Sequence, residues 1–169
     1  ANAKAHLREI RARGGKIVVI DPRRTETAEL ADEHHFIRPD SDVFLFLAML
    51  HTIFAEGLEA KEFLASHTTD VDRLRAVARA FTPEMAAAQT DIPAETIRRL
   101  AREFAAADGA VTWGRIVCGR FGTLAAFALE ALNVVTGNLD VPGGAQFSDG
   151  LVDMVDVVVR LGLDGYGTH

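Results

Sequence analysis

The residues best suited to chemistry fall into three polar clusters, each placed after a segment predicted to be a β-strand. The first cluster follows the β-branched run at residues 16–20 and consists of Asp21, Pro22, Arg23, Arg24 and Thr25. A carboxylate at a strand end can accept two hydrogen bonds from a ribose diol or from the edge of guanine, and a neighbouring arginine can pair with phosphate. The same residues also fit a turn that ends the strand, with solvated arginines. Residue types alone leave both interpretations open.

The second cluster, residues 38–42, follows the next predicted strand and contains Asp40, Ser41 and Asp42. Two carboxylates and a hydroxyl are suited to hold a base and its sugar. Acidic residues are also common at helix starts, where the helix dipole stabilises them, and Asp42 is predicted to cap the helix that follows. Base binding and helix capping both remain open at this stage.

The third cluster is a loop at residues 114–122, rich in glycine and arginine, that includes Gly114 and Arg115. Its glycines would let the backbone approach a ligand closely, and the N-terminus of the following helix would favour an anion. The glycine spacing matches neither the dinucleotide fingerprint nor the P-loop. Cys118 lies in the same loop, but no general base is near it in the sequence, which argues against a nucleophilic role.

The elements that would position these clusters alternate between helix and strand, which predicts an α/β fold. A helical excursion at about residues 60–108 interrupts the alternation, and within it Thr82, Pro83 and Glu84 are predicted to start a helix. The predicted helices are residues 3–13, 25–31, 43–56, 94–107 and one from about 123 to Gly137, the predicted strands are residues 16–20, 35–38 and 110–114, and a further apolar segment covers residues 151–163.

Composition restricts the class of protein. A chain of 169 residues, 49% of them hydrophobic, is the size of one domain with a substantial core. Its net charge of −6 argues against a nucleic-acid surface. One cysteine cannot form an internal disulfide or hold an iron–sulfur cluster, and it is compatible with the cytoplasm. The longest apolar run, residues 43–50, is too short to insert into a membrane. Because the chain starts without Met inside a predicted helix, we expect it to be part of a longer protein.

Taken in order, these clusters resemble the molybdopterin oxidoreductase family, which includes dimethyl sulfoxide reductases, formate dehydrogenases and nitrate reductases. The resemblance covers nearly the whole chain. It rests on the run Asp-Pro-Arg-Arg-Thr-Glu-Thr-Ala at residues 21–28, Ile-Arg-Pro-Asp-Ser-Asp at 37–42, Thr-Pro-Glu at 82–84, Ile-Pro-Ala-Glu at 92–95, Leu-Asn-Val-Val-Thr-Gly-Asn-Leu at 132–139 and Pro-Gly-Gly at 142–144.

The resemblance implies a single Rossmann-like domain with a mostly parallel sheet flanked by helices. It would hold the guanosine and phosphates of molybdopterin guanine dinucleotide in a larger molybdenum enzyme. Residues 21–25 would line the nucleotide end, Asp40, Ser41 and Asp42 would bind guanine and ribose, and Gly114 and Arg115 would lie nearer the pterin and pyrophosphate. The implied partners are the remaining domains of the parent enzyme, which would carry the metal ligand and an iron–sulfur cluster, and electron-transfer subunits. No catalytic residue is expected in this chain, and a cytoplasmic location is expected, with a periplasmic parent as the alternative.

Two residues depart from the family pattern. Asp40 stands where the family often has glycine, and the amide that many members carry near Gly119 is missing. These departures leave open a second interpretation, a domain that kept the fold and lost the cofactor. A third, a nicotinamide-binding domain, is disfavoured because no Gly-x-Gly-x-x-Gly follows Ile20.

Overall fold

A computed structural model describes residues 3–114 and 119–147 of the chain. Within these residues, eight helices and two strands follow one another: α1 (Ala3–Ala12), β1 (Val18–Ile20), α2 (Glu26–Leu30), β2 (Glu33–His35), α3 (Asp42–Glu56), α4 (Lys61–His67), α5 (Val71–Ala78), α6 (Pro83–Thr90), α7 (Ala94–Ala106) and α8 (Gly122–Val135). Arg115, Cys118 and the predicted apolar segment 151–163 lie outside the described residues.

The two strands form a parallel pair in which Val18 lies opposite Glu33, and α2 connects them. The prediction of an α/β domain with a parallel sheet is confirmed, but both strands are shorter than predicted. β1 begins late because the amide of Ile17 donates to the side chain of Asp32 at 2.8 Å. β2 lies two residues earlier than predicted and ends early, because the amide of Arg38 donates to the carbonyl of Thr90 instead of a strand, at 3.0 Å.

Helix α3 forms the centre of the core. Eight of its fifteen residues are buried, as its almost uniformly apolar sequence predicts, and α5, α6, α7 and α8 all pack against it. The helix ends at Gly57, whose φ of 68° is a left-handed conformation that glycine adopts readily. Its start differs from the prediction. Ser41, not Asp42, occupies the cap position, and Asp42 is the first helical residue.

Helices α4 to α7 make up the predicted helical excursion at residues 60–108. The predicted start at Thr82 is confirmed, since its hydroxyl accepts the amide of Met85 at 3.3 Å and Pro83 occupies the first turn. In α7, Ile97, Leu100 and Ala101 are buried on the inner face, as their spacing predicts.

The segment at residues 110–114 is not a strand, which corrects the prediction. Its backbone bonds to side chains of α8 and the residues that follow it, instead of to a neighbouring strand. The amide of Ala110 donates to Asn138 at 3.1 Å, and the amide of Thr112 donates to Asn133 at 2.8 Å. A strand needs another strand beside it, and no described strand lies against this segment.

In the described part of the chain, no single helix is both long and apolar enough to cross a bilayer. Helices α3 and α4 would reach the required length only together, and they meet at a bend of 111°.

Candidate functional site

The first polar cluster begins where β1 ends. The amide of Asp21 still bonds to β2, donating to the carbonyl of His35 at 3.2 Å. The Asp21 carboxylate accepts the amide of Arg23, two residues further along the chain, at 2.7 Å. Pro22 cannot donate to the ladder, so the strand stops here. The side chain of Asp21 is therefore held at the carboxyl end of the sheet and half-buried.

Two exposed arginines follow Asp21. Arg23 and Arg24 form no ion pair with any residue that the structure describes, whereas Arg38, Arg99 and Arg102 are each paired with a carboxylate. Next to them, the hydroxyl oxygen of Thr25 caps α2 by accepting the amide of Ala28 at 3.3 Å. The cluster thus presents two guanidinium groups to solvent beside a fixed helix start.

The second cluster forms the tight turn before α3. Asp40 has a φ of 63°, a left-handed conformation that is uncommon for aspartate. Ser41 is 4% exposed, and its hydroxyl donates to the carbonyl of Arg38 at 2.6 Å. This bond ties the turn together and uses the hydroxyl hydrogen of Ser41 within the protein.

Asp42 is the most unusual member of this cluster. Its carboxylate is half-buried, and no other described residue donates a hydrogen bond to it. Burial raises the pKa of this carboxyl above its ordinary value of 3.8, and the negative charges of Asp40 and Asp21 raise it further. The fold therefore brings the carboxylates of Asp21, Asp40 and Asp42 within electrostatic reach of one another, at one corner of the molecule.

Part of the third cluster meets the second. The amide of Arg120 donates to the Asp40 carboxylate at 3.1 Å, and the rings of Phe121 and Phe44 lie edge to face at 6.1 Å. Gly114 is exposed. The described end of the loop before α8 therefore packs on the start of α3, beside the carboxylate corner.

Contacts between residues distant in sequence anchor both ends of the strand pair, because Arg38 follows the carboxyl end of β2 and Glu33 begins that strand. The guanidinium of Arg38 forms two hydrogen bonds with the carboxylate of Asp91, at 2.7 and 3.2 Å. Glu33 forms a similar double contact with Arg99, at 2.7 and 3.0 Å, and also pairs with Lys16. These pairs fix the strand ends to α6 and α7, and no local sequence motif indicates them.

One residue that the sequence did not single out lies close to the corner. The imidazole Nε2 of His34 contacts the carbonyl of Asp21 at 3.1 Å, while its buried Nδ1 has no hydrogen-bond partner among the described residues. Histidines 34 and 35 alone carried no pattern that pointed to this position.

The chemistry of these groups fits one end of a nucleotide. Among the described residues the Asp42 carboxylate accepts only from its own backbone amide, and its remaining acceptor capacity suits the N–H edge of guanine or a ribose diol. The unpaired guanidinium groups of Arg23 and Arg24 suit phosphate. The Asp40 carboxylate, like those of Asp21 and Asp42, adds a negative charge that disfavours an anion nearby. Within residues 3–114 and 119–147, no cluster of three or more acidic, histidine or cysteine side chains is arranged to hold a metal ion.

The fold and this corner define an α/β domain with polar groups gathered beyond the carboxyl end of its parallel strands, where such domains bind ligands. The profile of the molybdopterin oxidoreductase family matches residues 2–153. The chain belongs to that family.

Several relatives agree with this assignment. The chain is 37% identical over 139 residues to formate dehydrogenase H of Escherichia coli, covering 81% of this chain and 19% of the relative. It is 36% identical over 139 residues to the molybdopterin-containing subunit PhsA of a thiosulfate reductase from Salmonella typhimurium, covering 78% of this chain and 18% of the relative. It is also 34% identical over 146 residues to a dimethyl sulfoxide/trimethylamine N-oxide reductase of Rhodobacter capsulatus, covering 82% of this chain and 18% of the relative.

A solved structure supports the fold. The acetylene hydratase of Pelobacter acetylenicus superposes with a TM-score of 0.75 at 28% identity, over 84% of this chain and 19% of that one. The chain thus spans about a fifth of the length of the relatives that it matches. Their names describe different reactions, so membership of the family does not by itself specify a substrate.

Proposed function

We propose that this chain binds the guanosine and phosphate end of molybdopterin guanine dinucleotide, as one domain of a molybdenum-dependent oxidoreductase. The observation that carries the proposal is the Asp42 carboxylate. It is half-buried beside Asp21 at the end of the sheet, and no other described residue donates to it. Among the described residues its carboxylate accepts only from its own backbone amide, which leaves acceptor capacity that a ligand N–H or O–H group would use.

The polar groups of the corner would bind the cofactor or position the groups that bind it, and none would have a catalytic role. Asp42 would accept from guanine or ribose, with Asp21 beside it and Ser41 shaping the turn beneath. Arg23 and Arg24 would pair with phosphate, and Thr25 would fix the start of α2. Gly114 and Arg115 are expected nearer the pterin. When bound, the cofactor supplies the redox chemistry through its metal and dithiolenes.

The reaction, its substrate and its partners would belong to the parent enzyme. The remaining domains would supply the metal ligand and an iron–sulfur cluster, and electron-transfer subunits would accept or deliver electrons. A cytoplasmic location is proposed for that enzyme. The isolated chain would bind nucleotide weakly and have no redox activity, because the reactive end of the cofactor would be held elsewhere.

One observation favours a second candidate, a structural domain that has lost its cofactor. The Asp40 carboxylate accepts the amide of Arg120 in the loop where a phosphate would approach α8. A built-in negative charge at that point would repel an anion. This candidate predicts no nucleotide binding at all.

Titration of the chain with GDP, ADP and NAD separates the two candidates. We expect weak binding that is selective for GDP. Changes in the amide NMR signals near residues 21–25 and 40–42 measure this binding. Asp42→Asn should weaken GDP binding at least about tenfold, the equivalent of about 1.4 kcal/mol. Asp108→Asn is the matched control, because Asp108 is exposed and lies in a different loop. Equal responses to the three nucleotides, or unchanged binding by Asp42→Asn, would contradict the proposed pocket.

A further inference from the structure

The main chain of Asp21 lacks one of the two bonds that a neighbouring strand would give it. In a parallel pair, a residue that donates its amide to the neighbouring strand also accepts at its carbonyl from an amide two residues further along that strand. The amide of Asp21 donates to the carbonyl of His35, so the register directs its carbonyl toward the amide of Ile37. Among the residues that the structure describes, Ile37 does not make that bond. The chain has already turned away, since the amide of Arg38 donates to the carbonyl of Thr90.

The side chain of His34 supplies the donor in place of that amide. Its imidazole Nε2 lies 3.1 Å from the carbonyl oxygen of Asp21, and because a carbonyl oxygen only accepts, Nε2 carries the hydrogen. The ring of Phe36 meets the imidazole edge-on, with the ring centroids 4.5 Å apart, and this contact fixes the plane of the imidazole. The other nitrogen, Nδ1, is buried and has no partner in the described ranges. The hydrogen bond of this imidazole is therefore directed to Asp21.

Every polar group of Asp21 is consequently engaged. Its amide bonds to His35, its carbonyl to His34 and its carboxylate to the amide of Arg23. The first two bonds fix the main chain, and the ring of Pro22 restricts the next φ angle. Because the backbone determines which side-chain rotamers are allowed, the direction of the Asp21 carboxylate depends on the bond from His34.

We propose that His34 is a positioning residue for ligand binding: by holding the carbonyl of Asp21, it fixes the Asp21 carboxylate beside Asp42 for a nucleotide base or ribose. The identity of the ligand rests on the proposed function, whereas the positioning of Asp21 does not. Binding groups need bonded neighbours that hold them in the productive geometry. The imidazole would act through Asp21 and would not touch the ligand.

Hydrogen exchange tests the positioning without any nucleotide. The amide of Arg23 reports on the Asp21 carboxylate that accepts it. In His34→Leu this amide should exchange at least about threefold faster. In His34→Gln it should exchange as in the unsubstituted chain, because the glutamine side-chain amide donates from a similar position. Nitrogen NMR of the imidazole should find a hydrogen on Nε2 of His34. Unchanged exchange in His34→Leu, or no hydrogen on Nε2, would overturn the proposal.

His51 provides the matched control. Its Nδ1 contacts a main-chain carbonyl, that of Ala78, at the same distance of 3.1 Å, but this bond joins α3 to the last residue of α5. His51→Leu should leave both the exchange of the Arg23 amide and GDP binding unchanged. The same NMR spectrum should find the hydrogen of His51 on Nδ1. An effect of His51→Leu on GDP binding as large as that of His34→Leu would contradict a role specific to His34.

GDP titration tests the consequence for the ligand. His34→Leu should weaken GDP binding about fivefold, which is the size expected for one hydrogen bond, and His34→Gln should restore it to within about twofold. The melting temperature of His34→Leu should stay within about 4 °C of the unsubstituted chain, because leucine also removes a buried nitrogen that has no partner. Weaker binding that neither returns in His34→Gln nor occurs without a larger loss of stability would indicate a merely structural histidine.

A double-mutant cycle shows whether His34 acts through Asp21. In an Asp21→Ala background, His34→Leu should weaken GDP binding no further, because the carboxylate to be positioned is gone. Equal weakening in both backgrounds would contradict the proposal. If the unsubstituted chain did not bind GDP, the proposed function would fail, and exchange of the Arg23 amide would still decide whether His34 positions Asp21.

Discussion

The carboxylate of Asp40 lies directly against Gly119, where the turn before α3 meets the loop before α8. A Cβ atom added to Gly119 would lie 1.8 Å from Oδ1 of Asp40, so glycine is required while the carboxylate stays in place. The other carboxylate oxygen accepts the amide of Arg120 at 3.1 Å. Asp40 makes this contact from a left-handed backbone conformation, which costs aspartate about 1 kcal/mol relative to glycine.

A double-mutant cycle tests this contact. Gly119→Ala should lower the free energy of unfolding by about 1 kcal/mol, because the new methyl group displaces the Asp40 carboxylate from the amide of Arg120. In an Asp40→Gly background, the same substitution should cost less than half as much. Urea denaturation of the four proteins measures the coupling. Equal costs in both backgrounds would show that Asp40 does not constrain Gly119.

The ion-pair network around Glu33 predicts acid sensitivity. Hydrogen bonds from Arg99 and Lys16 hold the pKa of Glu33 at about 2, against an ordinary value of 4.5. A carboxyl whose folded pKa is depressed stabilises the fold above its unfolded pKa and loses that contribution as the pH falls toward the folded pKa. Its side chain is 27% exposed, and solvent screening limits the contribution to about 1–2 kcal/mol.

Glu33→Gln should therefore lower the free energy of unfolding by about 1–2 kcal/mol at pH 7. The difference from the unsubstituted chain should shrink as the pH falls from about 5 to about 2. Glu62→Gln is the control, since Glu62 is exposed and its carboxylate forms no ion pair within the described ranges. A difference that stays constant over this pH range would argue against the network.

Two buried threonines should respond differently to loss of their hydroxyl groups. The hydroxyl of Thr90 donates to Ala86 at 2.8 Å and also accepts the buried amide of Ile92 at 3.2 Å. The hydroxyl of Thr52 only donates to Ala48, at 3.0 Å. Thr90→Val should cost about 1–3 kcal/mol, because the Ile92 amide loses its acceptor, while Thr52→Val should cost about 1 kcal/mol or less. Thermal denaturation of both variants decides this, and similar losses of stability would contradict it.

The ionised carboxylate of Asp42 should lower the stability of the fold while it enables GDP binding. Burial and the charges of Asp40 and Asp21 raise its pKa. Keeping this group ionised at neutral pH therefore lowers the free energy of unfolding. Asp42→Asn should leave the melting temperature at pH 7 unchanged or slightly higher, while it removes selective GDP binding. For the same reason, GDP binding by the unsubstituted chain should weaken as the pH falls through the raised pKa. A variant that lost stability and binding together would indicate a structural role.

The sequence predicts some parts of this arrangement because their causes are local. Pro22 ends β1, the apolar run in α3 requires burial, and Thr82 with Pro83 starts α6, all within a few residues. The Asp40–Arg120 and Arg38–Asp91 contacts join residues 80 and 53 positions apart, and only the fold brings them together. The cap before α3 was predicted wrongly because the hydroxyl of Ser41 and the carboxylate of Asp42 are both suitable caps. The ligand roles of residues 21–25, 40–42, 114 and 115 stay predictions.

The most direct test of the central claim is the cofactor content of the intact parent polypeptide. Elemental analysis and acid release of nucleotide would be carried out on the purified protein and on its Asp42→Asn variant, with Asp108→Asn as control. We predict molybdenum or tungsten together with guanosine monophosphate in a fixed ratio, both reduced by Asp42→Asn and unchanged by Asp108→Asn. Neither metal nor guanosine monophosphate in the parent would contradict the proposed function.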